Sequence, residues 1–149
     1  MRRLRSFLAL PAADRRLLIE AALFLGVVRL GLKLLPFQTL LSLLNRMPKG
    51  RLAPLPLDPR SAERLAWAIA TAGPYLVGSR PCLPQALAAQ LLLVRRGFPA
   101  RLRLGVIKGD RGEVQAHAWM ETDGRVVVGG SLAELARFTP LLALDAKTS

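Results

Sequence analysis

Cys82 and His117 are the single cysteine and the single histidine of this chain, and together they could perform nucleophilic catalysis. Cys82 starts a segment, 82–96, whose composition predicts a helix. Free backbone N–H groups and the helix dipole favour a thiolate there and can also hold an oxyanion. His117 lies in a predicted strand, 114–122. A helix-start cysteine and a strand histidine are typical of a nucleophile and its base.

Each of the two residues also has a plainer interpretation when it is taken alone. Cys82 would fit a small, buried, apolar position. His117 would fit a core or surface position with its hydrogen bonds satisfied. Alternation along the strand places His117, Trp119 and Glu121 on one face. Trp119 would then wall a cleft beside His117 or pack in the core.

Metal and cofactor chemistry is not expected from this sequence. One cysteine and one histidine fall short of the three or four ligands that zinc requires. Gly129 and Gly130 follow a predicted strand, but no Lys-Ser/Thr pair completes a phosphate-binding loop. A single cysteine excludes an internal disulfide. The chain therefore needs no oxidising compartment, and we expect a cytoplasmic protein.

The charge balance is strongly basic, with 22 Lys and Arg against 10 Asp and Glu, a net charge of +12. Such a charge favours an acidic partner or a membrane surface. The cations are scattered and are not interleaved with aromatic residues, so nucleic-acid binding is not expected.

Leucine-rich helices are predicted in the N-terminal part, over 14–35 and 37–45, after a short basic helix or arm at 1–10. The apolar stretch 17–35 contains Glu20, Arg29 and Lys33, which argues against a spanning helix. We interpret these helices as packing on the rest of the chain. A surface for a partner, or loose membrane contact through 17–44, is the alternative.

The proline-rich stretch 47–60 predicts an extended linker. It divides the chain into an N-terminal helical segment (1–46), the linker (47–60) and a core (61–149). The core should contain a helix at 61–72, capped by Ser61 and ended by Gly73-Pro74. Further helices are expected at 82–96 and 131–138, and the tail after Thr139-Pro140 should fray.

Strands are predicted at 101–107, 114–122 and 125–128. Asp123-Gly124 is a strong signal for a two-residue hairpin loop between the last two. Helices followed by an antiparallel sheet define an α+β fold.

Three blocks, 82–106, 116–121 and 123–130, resemble the stand-alone leader peptidase of lasso-peptide maturation. This is the microcin-processing type within the transglutaminase-like superfamily. The resemblance covers nearly the whole chain, although its N-terminal part is only compositional. It implies a transglutaminase-like, papain-like core in which the cysteine helix packs with an antiparallel sheet.

The resemblance also implies an activity: proteolytic removal of the leader from a ribosomally made precursor. A small leader-binding protein would deliver the precursor, and a cyclase would then close the ring. The family's nucleophile matches Cys82 and its base matches His117. A non-catalytic scaffold of the same fold and an acyl-transfer enzyme are the alternatives.

The family's third catalytic residue, an Asp, matches Gly129 here. A two-residue loop at 123–124 would pair Met120 with Val127 and His117 with Gly130. Glu121 shares the face of His117 but lies roughly 13 Å away at the usual strand rise. A backbone carbonyl, a water, Glu134 or Asp145 would have to orient the imidazole instead.

Overall fold

The computed structural model describes residues 2–48, 59–78 and 81–145. Most of the predicted linker, residues 49–58, lies outside the described residues. The order of elements is helices first and then a four-stranded antiparallel sheet, which confirms the predicted α+β class.

Three helices form the N-terminal part, and their bounds are α1 Arg2–Ala9, α2 Ala12–Leu34 and α3 Phe37–Arg46. Pro36 separates α2 from α3 because proline disfavours helical backbone in the residue before it. The inward face of α2 is made by apolar side chains three or four positions apart: Leu17, Leu18, Ala21, Leu25 and Val28. This face packs against α4 and α5, so the N-terminal helices share one hydrophobic core with the rest of the described chain.

Helix α4 spans Pro59–Leu76 and therefore differs from the prediction at both ends. Ser61 does not cap it, because the helix begins two residues earlier and Ser61 lies buried within the first turn. Pro74 does not end it either. The loss of one N–H costs a helix most in its middle, and Pro74 lies only two residues before the last residue of α4.

Helix α5, Cys82–Arg95, is the central helix, and its side chains from Ala86 to Val94 are buried. Its end follows the prediction. Gly97 has φ +84°, and the N–H groups of Gly97 and Phe98 donate to the carbonyls of Val94 and Leu93. This double hydrogen bond is the Schellman arrangement that a glycine after the last turn permits.

The sheet has the order β3-β2-β1-β4, and all neighbours are antiparallel. The bounds of three of the strands are β1 Arg101–Lys108, β2 Val114–Thr122 and β3 Arg125–Val128. Asp123 and Gly124 both have positive φ, 48° and 74°, as the predicted hairpin loop requires. Ala118 and Met120 face the helices and are buried in the common core.

The tail forms a fourth strand, β4 Thr139–Asp145, where fraying was predicted. It pairs with β1 along the free edge of the sheet, with a register shift between Leu104 and Gly105. An edge strand tolerates Pro140 because only one side of the strand has a partner. The short helix α6, Leu132–Leu135, leads into β4 and is capped by Ser131.

Two ion pairs tie α2 to the body of the fold. Asp14 accepts from Arg64 of α4, and Glu20 accepts from Arg96 at the end of α5. None of the helices within 2–48, 59–78 and 81–145 combines the length and apolar character needed to cross a membrane.

Candidate active site

Cys82 is the first residue of α5; it forms no disulfide and is half-buried. Pro81, which precedes the helix, makes no side-chain cap. The N–H of Gln85 donates to the carbonyl of Pro81 at 3.0 Å, and Pro84 has no N–H. The N–H groups of Cys82 and Leu83 precede that first bonded turn, where helical N–H groups lack partners within the helix. An anion that forms at Cys82 would therefore meet two backbone donors and the positive end of the helix dipole.

His117 lies in the middle of β2, directly opposite Gly105 of β1. Its Nε2 atom lies 2.5 Å from the carbonyl oxygen of Gly129. A carbonyl oxygen can only accept, so Nε2 carries the proton in this contact. In the neutral imidazole, Nδ1 is then the nitrogen with a free lone pair, which is the form that a general base needs.

Two aromatic rings frame the imidazole of His117. The ring of Phe138 is centred 5.3 Å from it at an interplanar angle of 30°, and that of Trp119 6.3 Å away at 23°. Gly105 leaves room for them, because a Cβ there would come within 2.9 Å of Trp119 and 3.1 Å of Phe138. The position of His117 is therefore set by stacking as well as by the Gly129 carbonyl.

The predicted register of the β2–β3 hairpin is wrong beyond its first residues. Thr122 faces Arg125 as expected, but Met120 faces Val128 and not Val127, because a bulge intervenes. Val127 is the extra residue of the bulge, so each later residue of β3 pairs one position farther along β2 than predicted. This shift brings Gly129 level with Trp119 and puts its carbonyl in reach of His117.

Gly129 could not carry a side chain in this conformation. Its φ is +117°, and a Cβ would lie 2.4 Å from Cβ of Trp119. The resemblance places an Asp here. In this chain the main chain supplies an oxygen to the histidine where that Asp would supply a carboxylate.

The nearby carboxylates are engaged elsewhere. Glu121 accepts from Trp119 Nε1 at 2.9 Å and from Arg103 Nε at 3.2 Å. Its distance from His117 along the strand had predicted that this carboxylate would not reach the imidazole. Glu134 accepts from the backbone N–H and the hydroxyl of Ser131, at 2.8 and 2.9 Å.

These bonds from Ser131 hold the pKa of Glu134 below its ordinary value, and His117 acts on that pKa in the same direction. No group of three or more Cys, His, Asp or Glu side chains in the described parts of the chain could hold a metal ion.

Cys82 and His117 lie on elements that pack together, α5 and β2, yet no hydrogen bond joins them among the described residues. Strand β2 turns Ala118 and Met120 toward the helices. The ring of His117 lies on the other face of the sheet, with Phe138 and Trp119. The structure therefore brings His117 together with Gly129 and Phe138.

Phe138 and Gly105 were not identified from the sequence as parts of this site. Phe138 was predicted only as the end of a short helix, and the alternation in β1 gave Gly105 no special role. Their contribution depends on β4 joining the sheet, which places Phe138 over the histidine.

A cysteine at a helix start and a histidine on the adjoining sheet are residue types that cysteine-dependent acyl transfer uses. The family model of the transglutaminase-like superfamily matches residues 22–143, and the chain belongs to that superfamily. The superfamily includes cysteine peptidases and acyltransferases. No curated protein and no solved structure matches the chain.

Proposed function

We propose that this protein is a cysteine peptidase that removes the leader from a lasso-peptide precursor, with Cys82 as nucleophile and His117 as base. The observation that carries the proposal is the hydrogen bond from His117 Nε2–H to the Gly129 carbonyl. It leaves Nδ1 free to accept a proton. Membership of the transglutaminase-like superfamily supports a cysteine-dependent reaction. The resemblance of the cysteine-helix and His-Ala-Trp blocks supports the leader as substrate.

In the proposed reaction, Sγ of Cys82 attacks the carbonyl carbon of the scissile peptide bond, and His117 Nδ1 takes the thiol proton. The N–H groups of Cys82 and Leu83 stabilise the oxyanion. The C–N bond then breaks, and the imidazolium returns the proton to the departing amine. Water, deprotonated by His117, hydrolyses the thioester and frees the leader's new carboxylate.

No hydrogen bond joins Cys82 and His117 among the described residues, and this gives the substrate complex a role in assembling the site. Catalytic hydrogen bonds are often absent or long without substrate and form in the bound complex. We infer that the precursor, delivered by its leader-binding protein, brings Sγ of Cys82 and Nδ1 of His117 into reach of each other. This would make cleavage depend on that partner. The ring-closing cyclase would act on the freed product.

The test uses the purified full chain, a precursor peptide and the leader-binding protein. Cys82→Ala should abolish cleavage, and His117→Ala should lower its rate by about 10²–10⁴-fold. Persistent cleavage by the Cys82→Ala variant would show that the nucleophile is another residue. The mass of the product separates hydrolysis, which adds water, from acyl transfer to an amine.

A second candidate function is that of a non-catalytic scaffold that holds the precursor or the cyclase. The observation that favours it is the position of His117 on the sheet face turned away from α5. A scaffold would keep its effect on precursor maturation after Cys82→Ala. A peptidase would lose it.

A further inference from the structure

Helix α2 carries a second apolar face that points to solvent. Five large aliphatic residues three or four positions apart form this outer stripe, and between 50% and 71% of each is exposed: Ile19, Leu23, Val27, Leu30 and Leu34. Such spacing keeps side chains on one side of a helix. The stripe is about 23 Å long at the usual helical rise. Stripes of this size on a soluble surface mark an interaction site.

The charges beside the outer stripe that have no ion-pair partner in the described part of the chain are all positive. Both acids of α2 are in ion pairs, Asp14 with Arg64 and Glu20 with Arg96 and Arg16. Arg15 and Lys33 lie beside the stripe on the helical wheel, and neither has an ion-pair partner in the described part of the chain. The outward surface of α2 therefore combines aliphatic side chains with uncompensated positive charge.

Helix α1 repeats this combination immediately before α2. It has no buried residue, and it exposes Leu4 and Leu8, one turn apart, beside Arg2 and Arg5. A helix with cations and large aliphatic residues exposed together is typical of elements that lie in the interface of a membrane. Lys and Arg can bury their stems there and keep their charges at the lipid headgroups.

We propose that α1 and the outer stripe of α2 dock this protein on the surface of a bilayer rich in anionic phospholipid. The inference is independent of the proposed peptidase activity. It requires no spanning helix, because the helices lie on the surface. A second copy of the chain is a poor occupant of the stripe, because two molecules of net charge +12 repel each other. An anionic lipid surface complements both the apolar and the cationic component.

The experiment measures sedimentation of the purified full chain with vesicles. We expect binding to vesicles of phosphatidylglycerol and phosphatidylcholine in equal parts, and little binding to phosphatidylcholine alone. Leu23→Gln/Val27→Gln/Leu30→Gln should lower the partition coefficient at least tenfold, since each buried methylene contributes to interfacial binding. Arg15→Gln/Lys33→Gln should lower it about fivefold for each cation removed.

A matched control removes three equally exposed aliphatic residues from the sheet side of the molecule. Val114, Leu132 and Leu141 are 69%, 67% and 64% exposed, and their triple Gln variant should bind vesicles as the unaltered protein does. Circular dichroism checks that both triple variants are folded. The proposal is overturned if the unaltered protein does not sediment with anionic vesicles, or if both triple variants lose binding equally. It is also overturned if the stripe variant binds vesicles normally and loses only a protein partner.

Discussion

The Nε2 atom of His117 lies 2.5 Å from the carbonyl oxygen of Gly129, so a peptide group and not a side chain orients the imidazole. A neutral carbonyl fixes the tautomer, as a carboxylate would. It does not supply the negative charge that stabilises an imidazolium. A thiol needs less activation than a serine hydroxyl, because part of it is ionised near neutral pH. This arrangement is therefore compatible with cysteine chemistry and would be a weak support for a serine nucleophile.

Replacing Gly129 with Asp should not restore a better site, although the resemblance places an acid there. The backbone has φ +117°, and the new Cβ would collide with Cβ of Trp119. We expect Gly129→Asp to lower the free energy of unfolding by about 2 kcal/mol or more, from backbone strain and crowding together. Urea unfolding and a cleavage assay measure the two effects. A variant that is as stable as the original and more active would contradict this account of the hairpin.

Gly112 provides the control for backbone strain alone. Its φ of +83° also disfavours a side chain, but the nearest atom to a Cβ there is Cε of Lys108 at 3.9 Å. Gly112→Ala should therefore cost about 1 kcal/mol and leave the activity unchanged. The difference between Gly112→Ala and Gly129→Ala isolates the contact with Trp119.

Removing one partner of the buried contact between Glu20 and Arg96 should lower stability. The Arg96 side chain is 6% exposed and that of Glu20 is 12% exposed. Removing one partner leaves the other charge poorly solvated, so Arg96→Ala should cost about 3 kcal/mol. Arg16, which also donates to Glu20 but is 66% exposed, is the matched control. Arg16→Ala should change the free energy of unfolding by at most about 0.5 kcal/mol in urea titrations. Equal losses from the two variants would contradict this.

The helices and the hairpin were predictable because local patterns determine them. Buried positions three or four residues apart define the inner face of α2, Gly97 ends α5, and Asp123-Gly124 makes the hairpin loop. Strand β4 was missed because Pro140 and the preceding short helix hide its pattern. Its partner, β1, lies more than thirty residues earlier in the chain, and no local signal reports such a pairing.

Of the candidate site, the sequence offers Cys82 and His117 but neither Phe138 nor the backbone at Gly129. Cys82 and His117 could be identified as a candidate pair because each type occurs once. The Gly129 carbonyl could not be identified from the sequence as the partner of His117. Its position depends on a bulge at Val127, and no residue type at that position predicts a bulge. The orientation of His117 away from α5 follows from the strand's alternation, but the sequence does not tell which face the helix covers.

Glu134 should titrate below its ordinary pKa, because the N–H and hydroxyl of Ser131 donate to its carboxylate. A carboxyl whose pKa is lowered on folding adds stability above its unfolded pKa. That contribution is lost as the pH falls through the folded value. Acidification should therefore weaken the cap of α6, and Ser131→Ala should raise the pKa of Glu134. Carboxyl-carbon NMR measures the pKa of Glu134 in the original protein and in the Ser131→Ala variant. A pKa at or above the ordinary value in the original protein would contradict the capping geometry.

Alkylation of the single cysteine by iodoacetamide reports directly on whether His117 serves Cys82. If the protein is a peptidase, binding of the precursor and the leader-binding protein should bring His117 to the thiol of Cys82 and so accelerate its labelling by iodoacetamide. The acceleration should end once the peptide fills the site. His117→Gln should then slow labelling about tenfold, since no imidazole is left to take the thiol proton. Gln115, exposed two residues earlier in β2, is the control position, and Gln115→Ala should label normally. If His117→Gln and Gln115→Ala label at the same rate with and without the partners, the thiol acts independently of the histidine. The scaffold function would then be the better account of this chain.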